Sequence, residues 1–226
     1  MREMYEDPKH VKDTFNEKNL SEHLRKAQLA EFGELRKIIL EHAQRGKALS
    51  VLDIGIGNAR ILSLLAKTPE LWSAIKHFEG IDIAQNCIDL SKKEIEELGI
   101  SDKASARLLD AMSLGTLNSK NDLIITTWFT TGNFYPSDFD PNNFKPGELD
   151  LSTNTKFTNI FKQVYYMLNP DGEIIIGSIY IDNDETRKKQ EDFYRAFGWK
   201  VITDERDSFT ASEEGWWSQR FTEDKV

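Results

Sequence analysis

The sequence predicts an α/β fold, a doubly wound, mostly parallel sheet with helices on both faces. Three features point to it. Short β-prone runs alternate with amphipathic helical stretches along most of the 226 residues, and such alternation builds a parallel sheet covered on both sides. The stretch Val51-Leu52-Asp53-Ile54-Gly55-Ile56-Gly57-Asn58 reads as a strand, a tight turn and the start of a helix. Its glycines let the backbone turn sharply and approach a ligand closely. About 25 residues later, Phe78-Glu79-Gly80-Ile81-Asp82 ends a second apolar run in an acid. An acid at that strand tip is placed to accept hydrogen bonds from a ribose diol.

In chain order, residues 1–48 are charged and helical in character. Ser21 is placed to cap a helix running to about Arg45, with Phe32, Leu35, Ile38 and Ile39 on one face and Gly46 ending it. Met4, Tyr5 and Phe15 are candidates for a lid, or for plain packing. Strands are predicted near 50–54, 77–82, 105–109, 122–127, 173–179 and 199–203, and helices near 59–67, 85–98, 153–168 and 184–197. Trp216–Thr222 is aromatic and β-prone, a last strand. Between the fourth strand and the following helix lies an unusually long connection, 128–152, holding Pro136, Pro141 and Pro146 with five phenylalanine and tyrosine rings. A connection of that length is usually functional or disordered, and its aromatic content argues against disorder. The expectation is one domain, 1–226, with 1–48 as a helical N-terminal cap and 128–152 as an active-site lid.

Composition narrows the function. The net charge is −9, whereas nucleic-acid binders need a basic face to replace counterions. Lys92-Lys93 and Arg187-Lys188-Lys189 lie beside acids on predicted helices and read as solvated faces. The apolar runs are too short to span a bilayer, and the charged N-terminus has no apolar signal-peptide core. The single cysteine, Cys87, forms no internal disulfide and reads as a small buried hydrophobe. Together these favour a cytoplasmic location. His10, His23, His42 and His77 are scattered without metal-ligand spacing, so no metal site is expected.

The turn after the first strand separates two kinds of nucleoside site. A dinucleotide site usually has a third glycine, where this chain has Arg60, and Asp53 would repel a pyrophosphate but suit an ammonium. Asp53-x-Gly55-x-Gly57-Asn58 resembles motif I of the class I S-adenosylmethionine-dependent methyltransferases. The resemblance continues in order through Ile81-Asp82-Ile83-Ala84, Leu108-Leu109-Asp110-Ala111-Met112, Asn121–Thr127 and Leu168–Ile176, covering roughly residues 48 to 203. Each piece alone is also compatible with a plain turn or a surface acid.

The resemblance implies a seven-stranded sheet of order 3-2-1-4-5-7-6 with strand 7 antiparallel, Trp216–Thr222 being that strand. It implies S-adenosyl-L-methionine as cofactor. Asp53 and Gly55 would then stand near the methionine and ribose, while Gly57 and Asn58 would admit the backbone. Asp82 and Ile83 would meet the ribose end, Asp110, Ala111 and Met112 would frame the adenine, and Thr126 and Thr127 would lie near the sulfonium.

Thr127-Trp128-Phe129-Thr130 replaces the Asn/Asp-Pro-Pro-Tyr of methylases acting on base or glutamine amines, and no histidine lies near to serve as a base. Gly132-Asn133-Phe134, followed by Pro136, resembles the corresponding segment of the ergothioneine-pathway histidine N-methyltransferases, whose extra substrate domain this chain lacks. Asn133 and Tyr135 are the candidate catalytic residues. The expected acceptor is a small molecule, an amine or hydroxyl compound. The alternatives are a protein or tRNA methyltransferase and a nucleoside-binding protein without transfer activity. The oligomeric state is left open.

Overall fold

The computed structural model describes residue 5 and residues 21–222. Met4 and Phe15, two of the lid candidates, lie outside the described residues. The chain divides into two compact units: a larger one, Arg2–Trp128 with Lys162–Ser178, and a smaller one, mainly Phe129–Phe161 with Ile179–Val226.

In the larger unit, Ser21 caps α1 (Glu22–Gln44) by accepting the Leu24 N–H at 3.3 Å. Gly46, at φ 71°, follows the helix end. Five strands then form one parallel sheet: β1 (Leu49–Ile54), β2 (Ile75–Asp82), β3 (Ala104–Leu108), β4 (Asn121–Thr126) and β5 (Leu168–Ile176). Their order is β3-β2-β1-β4-β5, with every neighbouring pair parallel. Between them run α2 (Arg60–Ala66), α3 (Pro69–Ala74), α4 (Gln85–Glu97) and α5 (Thr155–Met167), whose first residues belong to the smaller unit. The short α3, with Pro69 in its first turn, was not expected from the sequence. β1 and β4 are flanked by strands on both sides and buried almost throughout, as the central strands of a doubly covered sheet must be. Leu35 and Ile39 of α1 and Leu62 and Leu65 of α2 are buried in the same core as Val51, Phe78, Leu123 and Ile125, with Phe32 and Ile38 packed at its margin.

The smaller unit holds β6 (Tyr180–Ile181), α6 (Asp184–Ala196), β7 (Phe209–Ala211) and β8 (Trp217–Phe221). β8 is the middle strand of a three-stranded sheet, parallel to β6 and antiparallel to β7. Here the strand allocation differs from the seven-stranded expectation. Trp217–Phe221 is a strand with an antiparallel neighbour, but that neighbour is Phe209–Ala211 and the sheet is separate from the five-stranded one. The stretch 199–203 is reduced to a single bridge, Val201 to Ser212, flanked by Glu213 N–H to Lys200 O and Ile202 N–H to Ala211 O. The reason is local. Asp204 and Asp207 draw the following backbone into a polar turn, with Asp207 accepting the Asp204 N–H at 3.0 Å and Asp204 accepting that of Arg206 at 2.9 Å. The core of this unit is aromatic. Phe209 and Trp217 stack with centroids 3.9 Å apart, and Tyr135, Phe139 and Phe144 pack against them.

Gly80 marks the closest packing behind the glycine turn. A Cβ there would lie 2.1 Å from Ile56 Cδ1 and 2.8 Å from its Cβ, and Ile56 is buried. Gly80→Ala is therefore expected to destabilise by about 1–3 kcal/mol through overpacking. Ile56→Ala, costly by itself, should remove much of that penalty when combined with it. Urea unfolding of the two single variants and the double variant measures the coupling, and additive losses would show that Ile56 does not set the constraint.

Candidate active site

The carboxyl ends of β1, β2 and β4 converge in the larger unit, and the turn after β1 is fastened there. Gly55 and Gly57 have φ of 85° and 57°, values favourable to glycine. Gly55 and Ile56 both donate their N–H to Ile81 O, at 2.8 and 2.9 Å. Gly57 donates to Asp82 Oδ2 at 3.1 Å, and its carbonyl accepts Ser91 Oγ of α4 at 2.8 Å. Asp82 also accepts the Ala84 N–H at 3.0 Å, so one carboxylate joins the turns after β1 and β2. Burial raises its pKa, against the opposing hydrogen bonds from Ala84, Gly57 and Ile83. Ile83 is exposed beside it and Asn58 is half-buried. Tyr5, the described lid candidate, packs on Ala84 and Cys87, and its carbonyl accepts Asn86 Nδ2 at 2.7 Å.

Asp53 ends this arrangement deep in the unit. It is 2% exposed, and its Oδ1 has no hydrogen-bond partner among the described residues. Burial pushes its pKa up to about 7, opposed by Arg60 and assisted by Glu31 and Asp82. Thr126, at the end of β4, is also buried with an unpaired Oγ1 among the described residues, and Thr127 beside it is buried. The third strand contributes Asp110, Ala111 and Met112, all half-buried. There Asp110 Oδ1 accepts the Met112 N–H at 2.8 Å and so caps a 3-10 turn, while Gln163 Nε2 donates to Met112 O at 3.0 Å.

Sequence reasoning missed two residues here. Glu31 of α1 pairs with Arg60 at 2.5 Å, and the two side chains are only 6% and 14% exposed. Arg60 was met only as the residue in place of a third glycine. Its position in the first turn after the motif was a usable signal. Glu31 stands among other acids of α1 and nothing local distinguishes it.

The candidate catalytic residues belong to the smaller unit. Asn133 closes a 3-10 turn, Thr130–Asn133, and is half-buried. Gly132 does not take a left-handed turn; it packs closely, since a Cβ there would lie 3.3 Å from Gln219 O of β8. The Tyr135 ring lies 6.3 Å from Phe139 and 6.2 Å from Trp217, and Lys156 Nζ stands 4.6 Å over it. The rings of 128–152 thus supply much of this unit's own core. Among the described residues no three His, Cys, Asp or Glu side chains are gathered as a metal site would require. No helix among them is long and apolar enough to cross a membrane.

A five-stranded parallel sheet of this order, with a glycine turn after its first strand and an acid ending its second, is the frame of the Rossmann-like, class I methyltransferases. The chain belongs to the family described as "Methyltransferase domain", whose model matches residues 45–221. It is an S-adenosylmethionine-dependent methyltransferase. No curated protein matches it by sequence.

Solved structures share the fold. The PH0226 protein of Pyrococcus horikoshii OT3 has 18% identity over 94% of this chain and 82% of its own, with a TM-score of 0.55. A S-adenosylmethionine-dependent methyltransferase of Clostridium acetobutylicum ATCC 824 has 15% identity over 96% and 82%, with a TM-score of 0.51. The CcbJ methyltransferase of Streptomyces caelestis has 11% identity over 83% and 72%, with a TM-score of 0.50. At these identities the likeness is one of fold.

The raised pKa of Asp53 gives a signed pH dependence. Between about pH 4 and pH 7 the folded state holds a proton on Asp53 that the unfolded state has released, so this group makes stability fall as pH rises through that window. A ligand ammonium favours the ionised form. Binding of S-adenosylhomocysteine at pH 6 is therefore expected to release a proton, and at pH 9 to release none from Asp53. Calorimetry in buffers of different ionisation enthalpy reads this directly, and Asp53→Asn should abolish the release. Proton release that persists in Asp53→Asn would assign it to another group.

Proposed function

We propose that this methyltransferase acts on a small molecule, an amine or a hydroxyl compound, and that its cofactor is held by the strand ends of the larger unit. The observation that carries the acceptor reading is the chemistry of the unit that follows β4. It is rich in aromatic rings and has more acids than bases. The position of Lys156 over the Tyr135 ring is an example within the chain of an ammonium on one of these faces. A nucleic-acid acceptor would call for the opposite charge.

For the cofactor, the supporting observation is the buried, unpaired Oδ1 of Asp53. It fits the ammonium of a methionine end and would be left uncompensated by an uncharged ligand. Asp82, its orientation already fixed by backbone donors, would accept the ribose hydroxyls. Gly55, Gly57 and Asn58 would admit the nucleoside to the backbone. Ile83 would stand with Asp82 at the ribose, Asp110, Ala111 and Met112 would border the base, and Thr126 and Thr127 the sulfur. When bound, S-adenosylmethionine supplies a methyl group already activated on a sulfonium. The protein's own contribution is then to orient the acceptor and exclude water, worth up to about 7–11 kcal/mol in ideal cases. In this reading Asn133 accepts a hydrogen bond from the acceptor's N–H or O–H, and Tyr135 offers a hydroxyl or an aromatic wall.

The test is a screen of small amines and phenols for release of S-adenosylhomocysteine. With an acceptor in hand, Asn133→Ala and Tyr135→Phe are expected to cut turnover at least tenfold, roughly the value of a lost hydrogen bond to a charged group, with cofactor affinity nearly unchanged. Tyr135→Phe is preferred to Ala because the ring packs in the core. Full activity in both variants would remove the Asn133 amide and the Tyr135 hydroxyl from the site. Labelling of proteins or tRNA, with no small molecule methylated, would overturn the acceptor reading.

A further inference from the structure

Glu31 is the most heavily engaged carboxylate of the larger unit outside the motifs. Its Oε1 accepts Arg60 Nη2 at 2.5 Å. Its Oε2 accepts two further donors, the Trp128 N–H at 3.0 Å and Ser178 Oγ at 2.5 Å. A carboxylate this buried costs several kcal/mol to desolvate unless paired and hydrogen-bonded, and these donors meet that need. They come from three places: the first turn of α2 beside the glycine motif, the second residue beyond β4 and the second residue beyond β5.

Two of these partners are conformationally special. Trp128 and Ser178 have φ of 51° and 52°, a region that costs a non-glycine residue about 1–3 kcal/mol unless the surroundings hold it. Each of them donates a hydrogen bond to Glu31. Gly177 makes room, since a Cβ there would stand 2.5 Å from Glu31 Oε2. The Arg60 guanidinium lies 5.5 Å from the centre of the Trp128 ring, adding a second tie between the same partners. Trp128 and Ser178 are also the residues after which the chain passes from the larger unit into the smaller.

We propose that Glu31 is a positioning residue for methyl transfer, a clamp on α1 that fixes the turns beyond β4 and β5 against Arg60 and thereby sets where Thr126 and Thr127 stand. The inference rests on the reading that cofactor binds at these strand ends. Glu31 itself touches neither cofactor nor acceptor in this role. It acts through Arg60, which stands with Glu31 and Asp82 among the charges that face Asp53.

Glu31→Gln and Gly177→Ala test the clamp in the full chain, with S-adenosylhomocysteine as probe. The first removes the charge; the second keeps it and displaces the carboxylate. Two quantities are measured: affinity from pH 5 to pH 9, and the fluorine resonance of Trp128 in protein labelled with 5-fluorotryptophan, assigned by Trp128→Phe. Glu31→Gln is expected to weaken binding roughly tenfold or more, the scale of one charged hydrogen bond. It should also lower the pH midpoint of binding, because Asp53 loses a neighbouring negative charge. Both variants are expected to shift or split the Trp128 line in the bound state, Gly177→Ala with its pH midpoint near that of wild type. If Glu31→Gln does not fold, the Trp128 line of Gly177→Ala decides. A wild-type Trp128 line in every folded variant, with wild-type affinity, overturns the clamp while leaving the cofactor reading intact. Failure of the wild-type protein to bind the probe overturns that reading and the clamp with it.

Discussion

Burial of the Asp53 carboxylate is the constraint around which the larger unit is arranged. It is the penultimate residue of β1, between two neighbouring strands, 2% exposed, with one oxygen unpaired among the described residues. A carboxylate in that position is costly in its charged form, which is why its proton is held to about pH 7. Arg60 supplies the opposing charge but is itself largely buried and needs a partner. Glu31 is that partner, and its second oxygen is satisfied by the Trp128 N–H and the Ser178 hydroxyl. Each buried charge thus calls for the next until the series ends on donors at two strand ends. The compensation is incomplete at two atoms, Asp53 Oδ1 and Arg60 Nη1, which have no hydrogen-bond partner among the described residues.

Much of this fold was legible because its signals are local. The strand–turn–helix at Val51–Asn58, the acid at Asp82, the cap at Ser21 and the apolar face of α1 are all set by residues a few positions apart. The order of the five parallel strands followed from the resemblance and matches. The C-terminal strands were harder. Trp199–Thr203 is β-prone, but pairing depends on what lies opposite, and the Asp204–Asp207 turn draws the backbone away after a single bridge. Composition also could not tell rings that face a ligand from rings that face each other. Phe139 lies 4.8 Å from Trp217 and 5.7 Å from Phe144, a packing that no periodicity in 128–152 announces. Glu31 was invisible for a related reason. Its partners Arg60, Trp128 and Ser178 are 29, 97 and 147 residues away.

Two buried charges in this chain show how burial by itself says little about role. Arg220 in β8 is 0% exposed, and its guanidinium donates to the Asp182, Gln190 and Thr210 side chains and to the Asp207 carbonyl. These bonds tie β8 to α6 and β7 and rigidify the small sheet. Asp53 is buried nearly as deeply, its Oδ1 has no hydrogen-bond partner among the described residues, and its pKa is displaced toward neutrality. A fold gains nothing in stability from an acid held in that condition, since replacing it by a neutral group would remove the desolvation cost. The distinction between the two residues lies in their compensation: Arg220 lies against the Asp182 carboxylate, whereas the Oδ1 of Asp53 has no hydrogen-bond partner among the described residues.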